Sequence, residues 1–293
     1  MKRRMNTGRR CGSTRKIPTQ ASDCDSWSQP VASEFHVDGD YAPLLAEVGL
    51  DAESVFTDPR IHVWRSLPDR ENATLDFQCK NGKSIRLHIK RYPARFYRMA
   101  RREMDGYRLL KEAEIPIAPI IAHGRRANSD SFIILEDLAG YTPADKLVQQ
   151  GFAFEHLLNA TADLAALLHN KGLHHRDLYL CHFMVKPVAE SVDARLIDMA
   201  RVDRMKSLLT RRRWIIKDLA QFWYSMQSLP VTDKQRLRWL QRYGEQRQIK
   251  SDRLIGPIQR KAAAIAAHDK RLRMKQPNRN VSIELPNGPF SPA

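Results

Sequence analysis

The chain has 293 residues, 42% of them hydrophobic and 28% charged, with 49 Lys and Arg against 33 Asp and Glu for a formal net charge of +16. This excludes a fully disordered chain, a collagen and a coiled coil, and four cysteines over this length exclude a disulfide scaffold. The charge asks for an anionic partner, which is a nucleic acid, a membrane surface, or a phosphorylated or acidic substrate; charge alone does not choose. No apolar run approaches the roughly 18–20 residues of a membrane span. The N-terminal MKRRMNTGRRCGSTRKIPTQ is basic with no apolar run behind it, which predicts no secretory signal. Cys11, Cys24, Cys79 and Cys181 show no zinc-site spacing, so the expectation is a reduced, cytosolic protein without a structural metal.

In chain order, residues 1–33 read as a disordered basic tail, with order beginning near Phe35. Residues 34–137 read as a first lobe. Ile61–Leu67, Ala73–Cys79 and Ser84–Lys90 are predicted strands, punctuated by PDREN and by KNGKS, whose Asn-Gly suits a tight hairpin. A helix is predicted over Ala94–Ala113, with Phe96, Met99, Met104, Tyr107 and Leu110 on one broad face and Pro116 and Pro119 beyond its end. Ile120–His123 and Phe132–Glu136 complete a five-stranded antiparallel sheet with one helix packed on it. Residues 138–276 read as a second, mainly helical lobe. Helices are predicted at Phe152–Asn170, Arg212–Met226, Asp233–Gln241 and Gly256–Arg273, with short strands at Phe183–Lys186 and Arg195–Ile197. Residues 277–293 read as an irregular tail.

One segment outweighs the rest. HHRDLYLCHF, residues 174–183, places His175, Arg176 and Asp177 after a long helix, and the strand that follows ends in Asp198. A long helix, an H-R-D loop, a short hairpin and a second Asp form the catalytic order of the protein-kinase fold. That order makes further demands, and the sequence meets them. Lys90 ends the third predicted strand, Glu103 lies in the next helix, and Leu135–Leu138, with Glu136, stands where a hinge is required. The fold class is therefore α+β and two-lobed. Asp177 is the expected catalytic base, with His175 and Arg176 as the scaffold of its triplet. Lys90, Glu103 and Glu136 belong to the ATP side, and Asp198 to Mg²⁺. His182 stands where Asn is usual, and is either a metal ligand or a loop-packing residue. Asp218 is expected to brace the catalytic loop, and Trp214, Leu219, Phe222 and Trp223 to be core.

HRDLYLCHF, RLIDMARV, RRRWIIKDLAQFWYS and the IKRY segment resemble the bacterial lipopolysaccharide core kinases, the Kdo/heptose kinase family, over roughly residues 60–228. The resemblance implies phosphorylation of an inner-core sugar, heptose or Kdo, from ATP, and makes His182 and the absence of a D-F-G glycine expected. It also excuses the missing glycine in PDREN. Arg91, Arg95, Arg98, Arg101 and Arg102 form one basic tract. Arg201, Arg204, Lys206 and Arg211–Arg213 form another, suited to an anionic glycolipid and to peripheral association with the cytoplasmic face of the inner membrane. No nucleic-acid motif is present, and the sequence does not set the oligomeric state. The alternatives are a kinase with a protein, other saccharide or small-metabolite acceptor, or a regulatory pseudokinase.

Overall fold

The computed structural model describes residues 32–189 and 191–276, so the expected tails lie outside the described residues except for positions 32 and 33. The first lobe is a six-stranded antiparallel sheet in the order β1-β5-β6-β4-β3-β2: β1 Glu34–Val37, β2 His62–Ser66, β3 Glu71–Gln78, β4 Ser84–Tyr92, β5 Ile120–Arg125 and β6 Ser131–Glu136. The expected five strands are all present, and β1 adds a sixth at the edge against β5. Helix α1 (Ala42–Val48) ends at Gly49, whose φ of 76° is the left-handed conformation a helix C-terminus favours. A single turn, α2, follows at Ser54–Thr57.

Period-two alternation sorts β4 into two faces. Leu87 and Ile89 point one way and pack with Leu75, Phe132 and Ile134 against Leu45, Val48 and Val55 of α1 and α2. The apolar alternation visible in the sequence therefore faces α1 and α2, not the predicted helix. That helix, α3 (Tyr97–Glu112), takes the opposite face, burying Ala100, Glu103, Met104, Gly106, Tyr107 and Leu110. His88, Lys90 and Tyr92 belong to this second face. One sheet thus has two covered sides, and His88 and Lys90 of β4 fall on the side that meets the second lobe.

The second lobe comprises β7 (Thr142–Pro143), α4 (Ala144–Gln149), α5 (Phe154–Asn170), β8 (Leu173–His174), β9 (Phe183–Val188), β10 (Ser191–Leu196), β11 (Asp203–Arg204), α6 (Leu208–Ser225), α7 (Asp233–Gln246) and α8 (Asp252–Lys275). Two of its helices open on side-chain caps. The Ser207 hydroxyl accepts the Leu209 N–H at 3.2 Å to open α6, and Thr232 with Gln235 forms a capping box at α7. Helix α8 begins earlier than predicted and runs through Pro257. Phe222, Trp239 and Tyr243 stack in series at its core, with Phe222 and Trp239 centroids 4.0 Å apart. β8 pairs with β11, and β9 with both β10 and β7. These short ladders hold the loops that carry His175–Asp177 and Asp198.

Candidate active site

The loop after β8 is held from beneath by α6. Asp218 is fully buried and accepts the backbone N–H of His175 at 2.7 Å and of Arg176 at 2.8 Å. Burial alone would push its carboxyl up. The hydrogen bond and charge of His169 and the His175 N–H outweigh that and hold it below the ordinary range. Gln221, one turn further along α6, accepts the Leu178 N–H at 3.2 Å and donates to the Arg176 carbonyl at 2.8 Å and to Asp177 Oδ1 at 3.3 Å. The spacing of 218 and 221 puts both side chains on one helix face, which is the signal that would have revealed Gln221. Arg176 has a φ of 68° and lays its guanidinium 4.7 Å from the centre of the Trp214 ring. Trp214 also stacks on His174 at 4.7 Å, so it braces the loop and is only half-buried; Leu219, Phe222 and Trp223 are core as expected. His175 is buried, with Nε2 3.1 Å from the Ile197 carbonyl, which ties this loop to the next.

Asp198 follows Ile197 with a φ of 64°. The left-handed conformation is carried by the aspartate itself, and neither Met199 nor Ala200 has a positive φ. Met199 is fully buried. Its carbonyl is pressed against Gly106 of α3, where an added Cβ would come within 2.2 Å of the oxygen. Only glycine permits that approach, and it joins the Asp198 loop to the helix bearing Glu103. Glu103 is 1% exposed and receives both Lys90 Nζ and the Tyr92 hydroxyl. Burial and then the Glu103 charge push the Tyr92 phenol far up, so it stays protonated as a donor.

The remaining predicted residues gather here. His182 Nδ1 lies 2.6 Å from the Asp177 carbonyl, and its Nε2 faces Asp198 Oδ2 at 3.8 Å. Burial would lower its pKa. Contacts with Cys181, then the Asp198 charge, overcome this and push it up to about 10. Burial also opposes the Asp198 charge, but His182, Lys90 and Arg70 together hold that carboxyl well below the usual range. Arg201 sits directly on Asp177, its Nη1 3.0 and 3.1 Å from the two carboxylate oxygens. Tyr179 is half-buried and packs edge-on to His182, with centroids 6.2 Å apart. Glu136 closes β6, but its carboxylate accepts the Tyr41 hydroxyl at 2.7 Å and its N–H donates to the Pro119 carbonyl at 3.0 Å. Among the described residues no cluster of three or more His, Cys, Asp or Glu is arranged around one metal position. Asp198 provides one oxygen donor, which could hold an ion that takes its other ligands from phosphate and water, as Mg²⁺ does, while His182 beside it offers only a nitrogen, a poorer match to that hard cation.

The basic tracts divide on inspection. Arg91 leaves the first: it is buried on the outer sheet face, donating to the Val55 carbonyl at 2.8 Å, because it alternates with Lys90. Arg98, Arg101 and Arg102 remain exposed on α3. In the second, Arg201 goes to Asp177, Arg204 to Glu112 at 3.1 Å and Lys206 to Asp203 at 3.7 Å, while Arg212 and Arg213 stay exposed. Beside them Leu208 and Leu209 are 84% and 93% exposed.

A family model described as the lipopolysaccharide kinase (Kdo/WaaP) family matches residues 60–243. A lipopolysaccharide core heptose(I) kinase WaaP from Pseudomonas aeruginosa is 31% identical over 159 residues, covering 49% of this chain and 59% of that protein. A protein of the same name from Escherichia coli is 27% identical over 166 residues, again 49% and 59%. The chain thus spans about three-fifths of the length of these curated relatives. A solved structure described as WaaP in complex with acyl carrier protein superposes with a TM-score of 0.60 at 26% identity, over 79% of this chain and 98% of that one.

Proposed function

Since the chain belongs to the lipopolysaccharide kinase (Kdo/WaaP) family, we propose that it transfers the γ-phosphate of ATP to a sugar hydroxyl of the lipopolysaccharide inner core, a heptose or a Kdo. The observation that carries this reading is the convergence of Asp177, Asp198 and the Glu103-held Lys90. Bound Mg·ATP supplies the phosphoryl group and the cation that offsets charge on its oxygens. Lys90, fixed by Glu103, is positioned to neutralise the α- and β-phosphates. Asp198 would hold Mg²⁺, with His182 as the second candidate ligand. His182, its pKa raised to about 10, carries Nδ1–H to the Asp177 carbonyl and Nε2–H toward Asp198, and it would join Asp198 on the cation only by giving up that Nε2 proton. Glu136 stands at the hinge with its carboxylate and N–H both engaged within the protein, so its part on the ATP side is to position the hinge and not to contact the nucleotide through those groups.

Asp177 acts as base. It orients the acceptor hydroxyl and takes its proton as that oxygen attacks the γ-phosphate. Gln221 and the His182–Asp177 backbone contact hold it in place. Arg201 occupies both Asp177 oxygens, so the acceptor hydroxyl takes over one of those positions. Arg201 is 55% exposed and free to swing onto a phosphate or carboxylate of the acceptor. Leu209 lies five residues before Trp214, about 7.5 Å along α6 from the wall of the catalytic loop. Two exposed leucines flanked by Arg211–Arg213 suit an anionic lipid surface, with the leucines entering the headgroup zone. The enzyme then works peripherally at the cytoplasmic face of the inner membrane; no helix among the described residues is long and apolar enough to cross it.

The test is incubation with labelled ATP, Mg²⁺ and defined core glycolipids, with protein acceptors in parallel. Label on the glycolipid sugar is the expected outcome. Label on protein alone refutes the acceptor, and no nucleotide binding at all favours a pseudokinase.

A further inference from the structure

The hairpin between β2 and β3 occupies the place where kinases of this architecture offer backbone N–H groups to the nucleotide phosphates. Here it is too small for that. Ser66 pairs with Glu71 and the Leu67 N–H donates to the Arg70 carbonyl at 2.8 Å, which leaves Pro68 and Asp69 as the tip. Pro68 has no N–H to give. That leaves a single tip N–H, at Asp69, too little for a phosphate cradle, so a side chain is needed to hold phosphate from this side.

Arg70 is in the right position. Asn72 is directly opposite Lys90 in the β3–β4 register, and Arg70 lies two residues before Asn72, so it emerges on the Lys90 face and comes alongside Tyr92. Its side chain is only 21% exposed, and its Nε is buried with no hydrogen-bond partner among the described residues. The guanidinium touches Asp69 at 3.3 Å. It feels the charges of Asp198 and Glu103, and it helps depress the Asp198 carboxyl in return. Yet no ion pair within 4.0 Å joins it to either among the described residues. The surrounding acids outweigh the cost of burial and keep the guanidinium charged, while its buried N–H donor is left for an anion to complete.

We propose that Arg70 is the phosphate clamp of this enzyme, its planar guanidinium engaging non-bridging oxygens of the β- and γ-phosphates in place of a glycine-rich backbone. The inference rests on the kinase reading above. A guanidinium presents paired donors that match a phosphate edge, whereas a lysine would offer a point charge.

Acceptor-free binding of ATP and of adenosine, with Mg²⁺ present, tests it in the full chain and in its Arg70→Ala and Arg70→Lys variants. Arg70→Ala should lose roughly 10- to 100-fold in ATP affinity, Arg70→Lys less, and adenosine affinity should stay at the wild-type value in both. Because adenosine reports an intact lobe, a parallel loss of ATP and adenosine would overturn the clamp in favour of a shaping role. Wild-type ATP affinity in Arg70→Ala would overturn it outright while leaving the kinase reading in place. A wild-type protein that fails to bind ATP overturns both.

Discussion

Replacing Gly106 by Ala tests how the two halves of the site are kept in register. The new Cβ would sit 2.2 Å from the Met199 carbonyl oxygen and 3.1 Å from Met199 Cβ, where ordinary contact begins at 3.4 Å. Either α3 or the backbone beside Asp198 must therefore give by about an ångström. Two effects of opposite sign compete in stability. Alanine favours the helix over glycine by about 0.5–1 kcal/mol, while overpacking a closed contact costs about 1–3 kcal/mol. The net is a loss of up to ~2.5 kcal/mol, a fall of several degrees in melting temperature. Activity suffers more, because the shift separates Glu103 and Lys90 from Asp198. Misplacement by about 1 Å costs on the order of 100-fold in turnover. Gly256→Ala is the matched control: it too lies in a helix, but its Cβ would meet only the flexible end of Arg260 at 3.4 Å. Because Pro257 follows and its Cδ crowds a Cβ at 256, the usual helix gain is offset, and the change should lie within about 1 kcal/mol of neutral with transfer intact. Thermal melting and the rate of labelled phosphate transfer decide the matter. If Gly106→Ala behaves like Gly256→Ala, with transfer intact and melting unchanged or raised, the coupling argument fails.

Asp177→Asn keeps the shape of the loop but removes the base, so transfer should fall by roughly 10²–10⁴ with ATP affinity retained in a binding titration. Arg201→Ala should raise the KM for the glycolipid about tenfold and leave the KM for ATP alone; equal changes in both would argue against an acceptor contact. Asp218 has a carboxyl depressed in the folded state, so it contributes stability above its unfolded value of 3.8 that is lost as the pH drops below that value. Asp218→Asn should therefore be less stable than wild type at pH 7 and show a flatter decline below pH 4 in pH-dependent melting; parallel curves would exclude the charge as the brace. Leu208→Ser with Leu209→Ser should weaken sedimentation with anionic vesicles and raise the KM for vesicle-embedded glycolipid, and unchanged sedimentation would remove these leucines from the membrane contact.

The sequence revealed the frame because its strongest signals are local and ordered. Alternation in β3 and β4, the long apolar face of α5, and the succession Lys90, Glu103, Asp177, Asp198 each survive in the structure. What escaped needed tertiary information. β1 is four residues at a sheet edge, too short for alternation to register, and α1 and α2 are brief pieces stabilised by the sheet they cover. Arg91 read as part of a basic tract because neighbouring arginines follow it, but strand geometry turns it to the opposite face from Lys90. The cluster after Asp198 read as one charged surface, although Arg201, Arg204 and Lys206 each meet an acid contributed from elsewhere in the fold or from the adjacent turn. Arg70 lies in a tight turn, where no periodicity assigns a side chain to a face.

The boundaries of the apolar clusters and of the two lobes do not coincide. Tyr92, Met104, Tyr107, Leu110, Ile133 and Leu135 of the first lobe share one continuous core with α5, α6 and α7, whereas the outer sheet face belongs to a smaller, separate core with α1 and α2. A fragment cut at the hinge would leave bare to water the apolar surfaces of α3 and the inner sheet that meet the second lobe. Heat should therefore unfold α3 together with the helical half, in a single calorimetric peak. Amide exchange should find its first opening in the α1–α2 cover, on the far side of the sheet from the chemistry. Substitutions that loosen that cover are thus where the sequence can drift most freely without disturbing the alignment of Lys90 with Asp198.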